Sequence, residues 1–136
     1  MSLKLKGVVT SGVGRGAKFI NMSEYKKIFA SLGMPNPFPG TLNVIIVNGL
    51  LYKEIVNICR PRLYVSKVEA GTKVFGGVII WEGTLSKNQK EVPVLILRPL
   101  LSKHKENILE IISPLYLREY FNLRDGDYVN LYINCY

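Results

Sequence analysis

The stretch that decides the fold is "KVFGGVIIWEGTLSKNQKEVPVLILRP", residues 73–99. Two apolar runs rich in β-branched residues, 73–83 and 92–99, flank the polar segment "SKNQKE". Val, Ile and Trp suit a pleated, packed surface, and a Ser/Asn/Lys cluster marks a turn, so the stretch reads as two strands joined by a turn. Trp81, inside the first run, reads as part of a barrel wall and its core.

The same pattern recurs on both sides. Residues 3–10 read as a first strand, "TLNVIIV" (41–47) as the next, ended by the turn dipeptide Asn48-Gly49, followed by "RLYVSKV", "ENILEIIS" and "DYVNLYIN". One helix is clear: Tyr25, Ile28, Phe29 and Leu32 recur at i, i+3, i+4 and i+7, with Asn21 or Ser23 as its cap and Gly33 at its end. A second, short helix is expected in "SPLYLREYFNL", with Ser113 as N-cap, Pro114 at the first helical position and Asn122 near the end. Residues 50–59 read equally as helix or strand. Six or more strands with two helices do not alternate as a parallel sheet requires, so a mainly β fold, closed into a small barrel that removes its sheet edges, is the economical architecture. At 136 residues one domain over 1–136 is expected.

No apolar run approaches the ~20 residues of a membrane-spanning helix. The alternating "MSLKLKGVV" is not a signal peptide, and a cytoplasmic protein is expected. Cys59 and Cys135 are distant and lack nearby ligands, so they read as two small buried thiols rather than a zinc site or a disulfide framework. The net charge of +8 favours an anionic partner, but the basic residues form no stripe or motif for nucleic acid. His104, the only histidine, lies in the polar "SKHKEN" and reads as an exposed loop residue.

"SGVGRGAKFI", residues 11–20, places three glycines within five residues, where backbone can come close to a ligand. It is not a P-loop: counted from Gly12, Ala17, Lys18 and Phe19 stand where Gly, Lys and Ser/Thr are needed. Gly12, Gly14 and Ala17 satisfy the local dinucleotide fingerprint, yet no acidic residue lies between Glu24 and Glu54 to hold a ribose. From this segment alone, a glycine-rich turn is an equal reading. The two aspartates, Asp125 and Asp127, fall in the turn "RDGD", leaving no acidic cage for Mg²⁺. Any Mg²⁺ would arrive on a ligand's phosphates and find neutral donors. Thr41 and Asn43, two apart on a strand, share a face and could serve, or could simply be a solvated strand face.

In order along the chain, "SGVGRGAKF", "FPGTLNV", "LRP" and "EIISPLYLREYFNLRDGD" resemble the archaeal CTP-dependent riboflavin kinases, over about residues 7–134. The resemblance implies a six-stranded cradle-loop (RIFT-type) β-barrel with about two short peripheral helices. It implies a phosphotransferase that moves the γ-phosphate of CTP to the 5′-hydroxyl of riboflavin, giving FMN and CDP with Mg²⁺. Carried over by motif, Gly12, Val13, Gly14, Arg15, Gly16 and Ala17 would wrap the phosphates and part of the cytidine. Leu115, Tyr116, Leu117 and Arg118 would complete the nucleotide site. Thr41 and Asn43 correspond to the Mg²⁺ ligands, and Ser102 and Glu110 to flavin contacts, with Ser102 where relatives carry threonine. Glu110 is also the candidate to accept the hydroxyl proton, and Lys18 to neutralise phosphate charge. The expected partners are therefore riboflavin and CTP, with a monomer as the working unit and neither membrane nor nucleic acid involved. The alternatives are a basic small-barrel regulator that binds nucleic acid, whose affinity would fall steeply with salt, and a flavin- or nucleotide-binding module without turnover.

Overall fold

A computed structural model describes residues 1–12 and 20–136 of the chain. In chain order the elements are β1 (Ser2–Thr10), α1 (Ser23–Ser31), β2 (Leu42–Ile46), α2 (Tyr52–Ile58), β3 (Leu63–Ala70), β4 (Lys73–Lys87), β5 (Lys90–Pro99), β6 (Ile108–Ile112), α3 (Leu117–Tyr120) and β7 (Tyr128–Asn134). The expected strands are all present. Three helices stand where two were expected, because residues 50–59 resolve as α2.

The strands form one antiparallel sheet in the order β3-β4-β5-β6-β2-β1-β7, and β4 also pairs with β7. That last pairing closes six strands into a ring and leaves β3 as an appendage. Closure depends on the length of β4. One of its edges follows β5 from Val78 to Lys87, while the other pairs with β3 up to Ile80 and with β7 from Gly83 to Ser86. At the handover a Cβ on Gly83 would lie 2.3 Å from the Tyr132 carbonyl oxygen, so only glycine lets β7 come in to pair.

The core has two layers. Val9, Val44, Trp81, Ile96, Leu109, Ile111 and Leu131 are among the side chains that fill the ring. On the outer face Val78, Ile80, Leu95, Leu97 and Ile112 meet Tyr25 and Phe29 of α1. Strands β4, β5 and β6 are thus covered on both faces, which is why "VIIW", "VLIL" and "ILEII" are continuous apolar runs without alternation. Trp81 is fully buried as expected, its Nε1 donating to the Cys59 carbonyl at 2.8 Å.

Local signals were realised unevenly. Gly33 ends α1 in the left-handed region (φ 85°), but the cap is Met22, with no side-chain hydrogen bond from Asn21 or Ser23. The helix expected from Ser113 and Pro114 begins only at Leu117, because the Ser113 Oγ accepts from the Leu115 N–H (3.0 Å) and holds a turn there instead. The β4–β5 connection tightens to two residues, Asn88 and Gln89, both at positive φ (50° and 67°), with Lys87 opposite Lys90. Gln89 gains nothing from its side chain in that conformation. Gln89→Gly should therefore raise stability by about 0.5–1 kcal/mol, read as a higher denaturation midpoint.

The two cysteines correct the sequence reading. Cys59 and Cys135 form a disulfide across a sequence separation of 76, their Cα atoms 4.7 Å apart. The ring brings the end of α2 against the chain just beyond β7, a proximity that residue spacing cannot disclose. No helix among the described residues is long and apolar enough to cross a membrane.

Candidate functional site

Register places the site. Strands β2 and β6 are antiparallel neighbours with Asn43 opposite Glu110 and Leu42 opposite Ile111, so the segment entering β2 and the segment leaving β6 emerge at the same end of the barrel. They are tied by a hydrogen bond from the Phe38 N–H to the Ser113 carbonyl (2.8 Å). Between them opens a cleft of about 180 Å³, with Phe38, Gly40, Thr41 and Leu42 on one wall and Ile111, Ser113 and Leu115 to Arg118 on the other. The Phe38 and Tyr116 rings stack across it, centroids 4.5 Å apart and nearly parallel.

Beside this cleft lies a polar cluster of Thr41, Asn43 and Glu110. Leu42 and Val44 turn into the ring, so Thr41 and Asn43 share the opposite face, as the two-residue spacing predicts. Thr41 Oγ1 donates to Glu110 Oε1 at 3.0 Å. Asn43 and Glu110 are 6% and 9% exposed, and the buried Oδ1 of Asn43 has no hydrogen-bond partner among the described residues. A buried acceptor in that state is costly and marks a place where a ligand or cation can supply the missing contact. The donor set is two neutral oxygens and one carboxylate, suited to a hard cation that brings most of its charge compensation on phosphates. No cluster of three or more His, Cys, Asp or Glu suited to a metal occurs among the described residues.

Burial pushes the Glu110 carboxyl above the usual carboxylate range, an effect opposed by the Thr41 hydrogen bond and by the charges of His104 and Arg98. Gly12 closes the cluster from the side of β1: a Cβ there would fall 2.2 Å from Asn43 Nδ2. Gly12→Ala should displace the Asn43 amide and lower turnover at this cluster by roughly 10-fold or more, while the exposed position of Gly12 just beyond β1 keeps the cost to the fold small. Steady-state rates compared with the melting temperature would separate the two effects.

Arg118 lines the cleft, and its guanidinium is already engaged. Its Nη2 donates to Asp125 Oδ1 (2.8 Å) and to the Thr10 carbonyl (3.2 Å). Ser11 Oγ donates to the other Asp125 oxygen. The Ser11 and Arg118 bonds hold the Asp125 carboxyl below its ordinary range. Arg118 thereby ties the end of β1 to α3 and to the "RDGD" turn. Val13, Gly14, Arg15, Gly16, Ala17 and Lys18 lie outside the described residues.

Thus Gly12, Thr41, Asn43, Glu110 and Leu115 to Arg118 are brought to one end of the barrel. Ser102 is not among the residues lining the cleft. It stands in the loop between β5 and β6, its Oγ accepting from the His104 N–H at 3.1 Å. His104 is half-buried rather than fully exposed. Phe38 and Ser113 were overlooked as cleft walls; the aromatic set between prolines in "NPFPG" was the available signal for the first.

A six-stranded antiparallel ring with a cleft at one end, walled by paired aromatics and backed by buried oxygens, defines a small-molecule-binding β-barrel. A family model named CTP-dep_RFKase, described as "Domain of unknown function DUF120", matches residues 9–133, and the chain belongs to that family. Its relatives include the riboflavin kinase of Saccharolobus solfataricus, 34% identical over 96% of this chain and 73% of that protein. The riboflavin kinase of Staphylothermus marinus is 33% identical over 98% and 93% of the two chains. That of Methanococcus maripaludis is 30% identical over 96% and 100%.

Proposed function

We propose that this protein is a riboflavin kinase that transfers the γ-phosphate of CTP to the riboflavin 5′-hydroxyl, giving FMN and CDP, with Mg²⁺ required. The observation that carries the reading is the cluster of half-buried Thr41 with buried Asn43 and Glu110 beside the cleft, where Asn43 Oδ1 has no partner among the described residues. Family membership supports the reaction class.

Phosphoryl transfer asks the protein for alignment and charge compensation more than covalent chemistry. The backbone of Leu115 to Arg118 and the Phe38–Tyr116 stack form the nucleotide wall, and the glycine-rich segment 12–17 is assigned to the phosphates. Fixed main-chain donors and acceptors there can match one base edge and leave another unsatisfied, the basis for choosing cytosine. Thr41 Oγ1 and Asn43 Oδ1 would hold the Mg²⁺, which when bound neutralises charge on the transferring phosphate. Glu110 accepts the proton from the 5′-hydroxyl as its oxygen bonds to the γ-phosphorus and the bond to the CDP leaving oxygen breaks. A carboxyl raised by burial is better matched to that task near neutral pH than an ordinary one. In this reading a single domain, acting as a monomer in the cytoplasm, carries both substrate sites.

The test is direct: incubate the protein with riboflavin, Mg²⁺ and either CTP or ATP, and separate the flavins. FMN formed with CTP supports the reading. Absence of FMN with every nucleoside triphosphate would overturn it.

A further inference from the structure

The Arg98 of "LRP" is 4% exposed and makes no ion pair among the described residues. Its guanidinium is spent on main chain instead. Nη1 donates to the carbonyls of Lys105 (2.8 Å) and Ile108 (2.9 Å), and Nη2 to that of His104 (3.1 Å). The plane lies 4.6 Å from the centroid of the Tyr52 ring of α2. Tyr52 also grips the same loop, its N–H donating to the Glu106 carbonyl at 2.8 Å. Burying a cation is expensive, and three carbonyls compensate it only if they stay in place.

What those carbonyls belong to gives the arrangement its meaning. The pinned segment, 104–108, runs from Ser102 on one side to Glu110 on the other, and the Ser102 Oγ is itself held by the His104 N–H. Strand pairing holds Glu110 itself, and the segment that leads to it from Ser102 is anchored at three carbonyls by one guanidinium. We propose that Arg98 is the positioning residue of the riboflavin site, fixing Ser102 and Glu110 relative to one another without touching either substrate. The inference rests on the assignment of these two residues to the flavin side. With His104 N–H occupying one of the two lone pairs of Ser102 Oγ, its hydroxyl proton can be given to a flavin acceptor, a carbonyl oxygen or ring nitrogen. Lysine cannot replace arginine here: its ammonium is a point donor, whereas the planar fork reaches three separate carbonyls.

The experiment compares wild type with Arg98→Lys by riboflavin fluorescence quenching, by the KM for each substrate, and by melting temperature. Expected are a riboflavin Kd and KM raised about 10-fold or more and a CTP KM within about twofold. An unchanged riboflavin Kd in a folded variant would overturn the inference, as would equal weakening toward both substrates, the mark of a general structural loss. Should Arg98→Lys not fold, Tyr52→Leu keeps the guanidinium and removes its support; it is expected to weaken riboflavin selectively, and an unchanged riboflavin Kd there would equally overturn the inference. Wild type that binds no riboflavin would instead defeat the functional reading beneath it.

Discussion

Glu110→Gln is expected to lower kcat by about 10²–10⁴-fold and yet leave the protein at least as stable as wild type near neutral pH. The two outcomes have one cause. Glu110 is buried on a face shared with Asn43, and desolvation raises its carboxyl above the ordinary 4.5. Glutamine keeps an Oε1 to accept the Thr41 hydroxyl but can no longer take a proton from a substrate alcohol.

The sign for stability follows from linkage. Folding raises this pKa, so the native state binds the proton more tightly than the unfolded chain does. The group's contribution is fully present below the unfolded value and is lost as pH rises through the folded one. Above that window the ionised carboxylate is a liability that glutamine lacks. The melting temperature of Glu110→Gln minus that of wild type should therefore increase between pH 4 and pH 7. A variant that retains activity within threefold of wild type would remove Glu110 from the chemistry, since general-base effects begin near 10²-fold. A stability difference that shrinks as pH rises would contradict the burial argument.

The second large effect concerns Cys59–Cys135. Closing a loop across a separation of 76 residues restricts the unfolded chain, and the loop-entropy relation gives about 4 kcal/mol for a loop of this size. For a chain of this length each 1 kcal/mol moves Tm by roughly 4 °C. Reduction, or Cys135→Ser, should accordingly lower Tm by about 10–20 °C. Cys59 is fully buried and its carbonyl holds Trp81 Nε1, so the emission of this lone tryptophan gives a second readout of loosening at that end of the ring. Equal melting temperatures in the oxidised and reduced protein would show that the bond contributes nothing to folding.

Periodicity and composition are local properties, and what they specify was legible in the chain: the strands, the α1 stripe of Tyr25 and Phe29, the Asn48-Gly49 turn, and Thr41 with Asn43 on one strand face. The order of the motifs was enough to name the family. Closure of the ring was not legible in detail, because β4 changes partner at Gly83, and which strand meets an edge depends on the path of the whole sheet. The disulfide, the engagement of Arg118 with Asp125 and Thr10, and the three carbonyls around Arg98 share that origin. Each joins residues whose meeting depends on the folded path. Sequence alone determined which residues could be strands and which family they resemble as a set. Only the tertiary structure decided that Asn43 faces Glu110, because strand register is a contact between distant segments and is set by how both bury their apolar faces together.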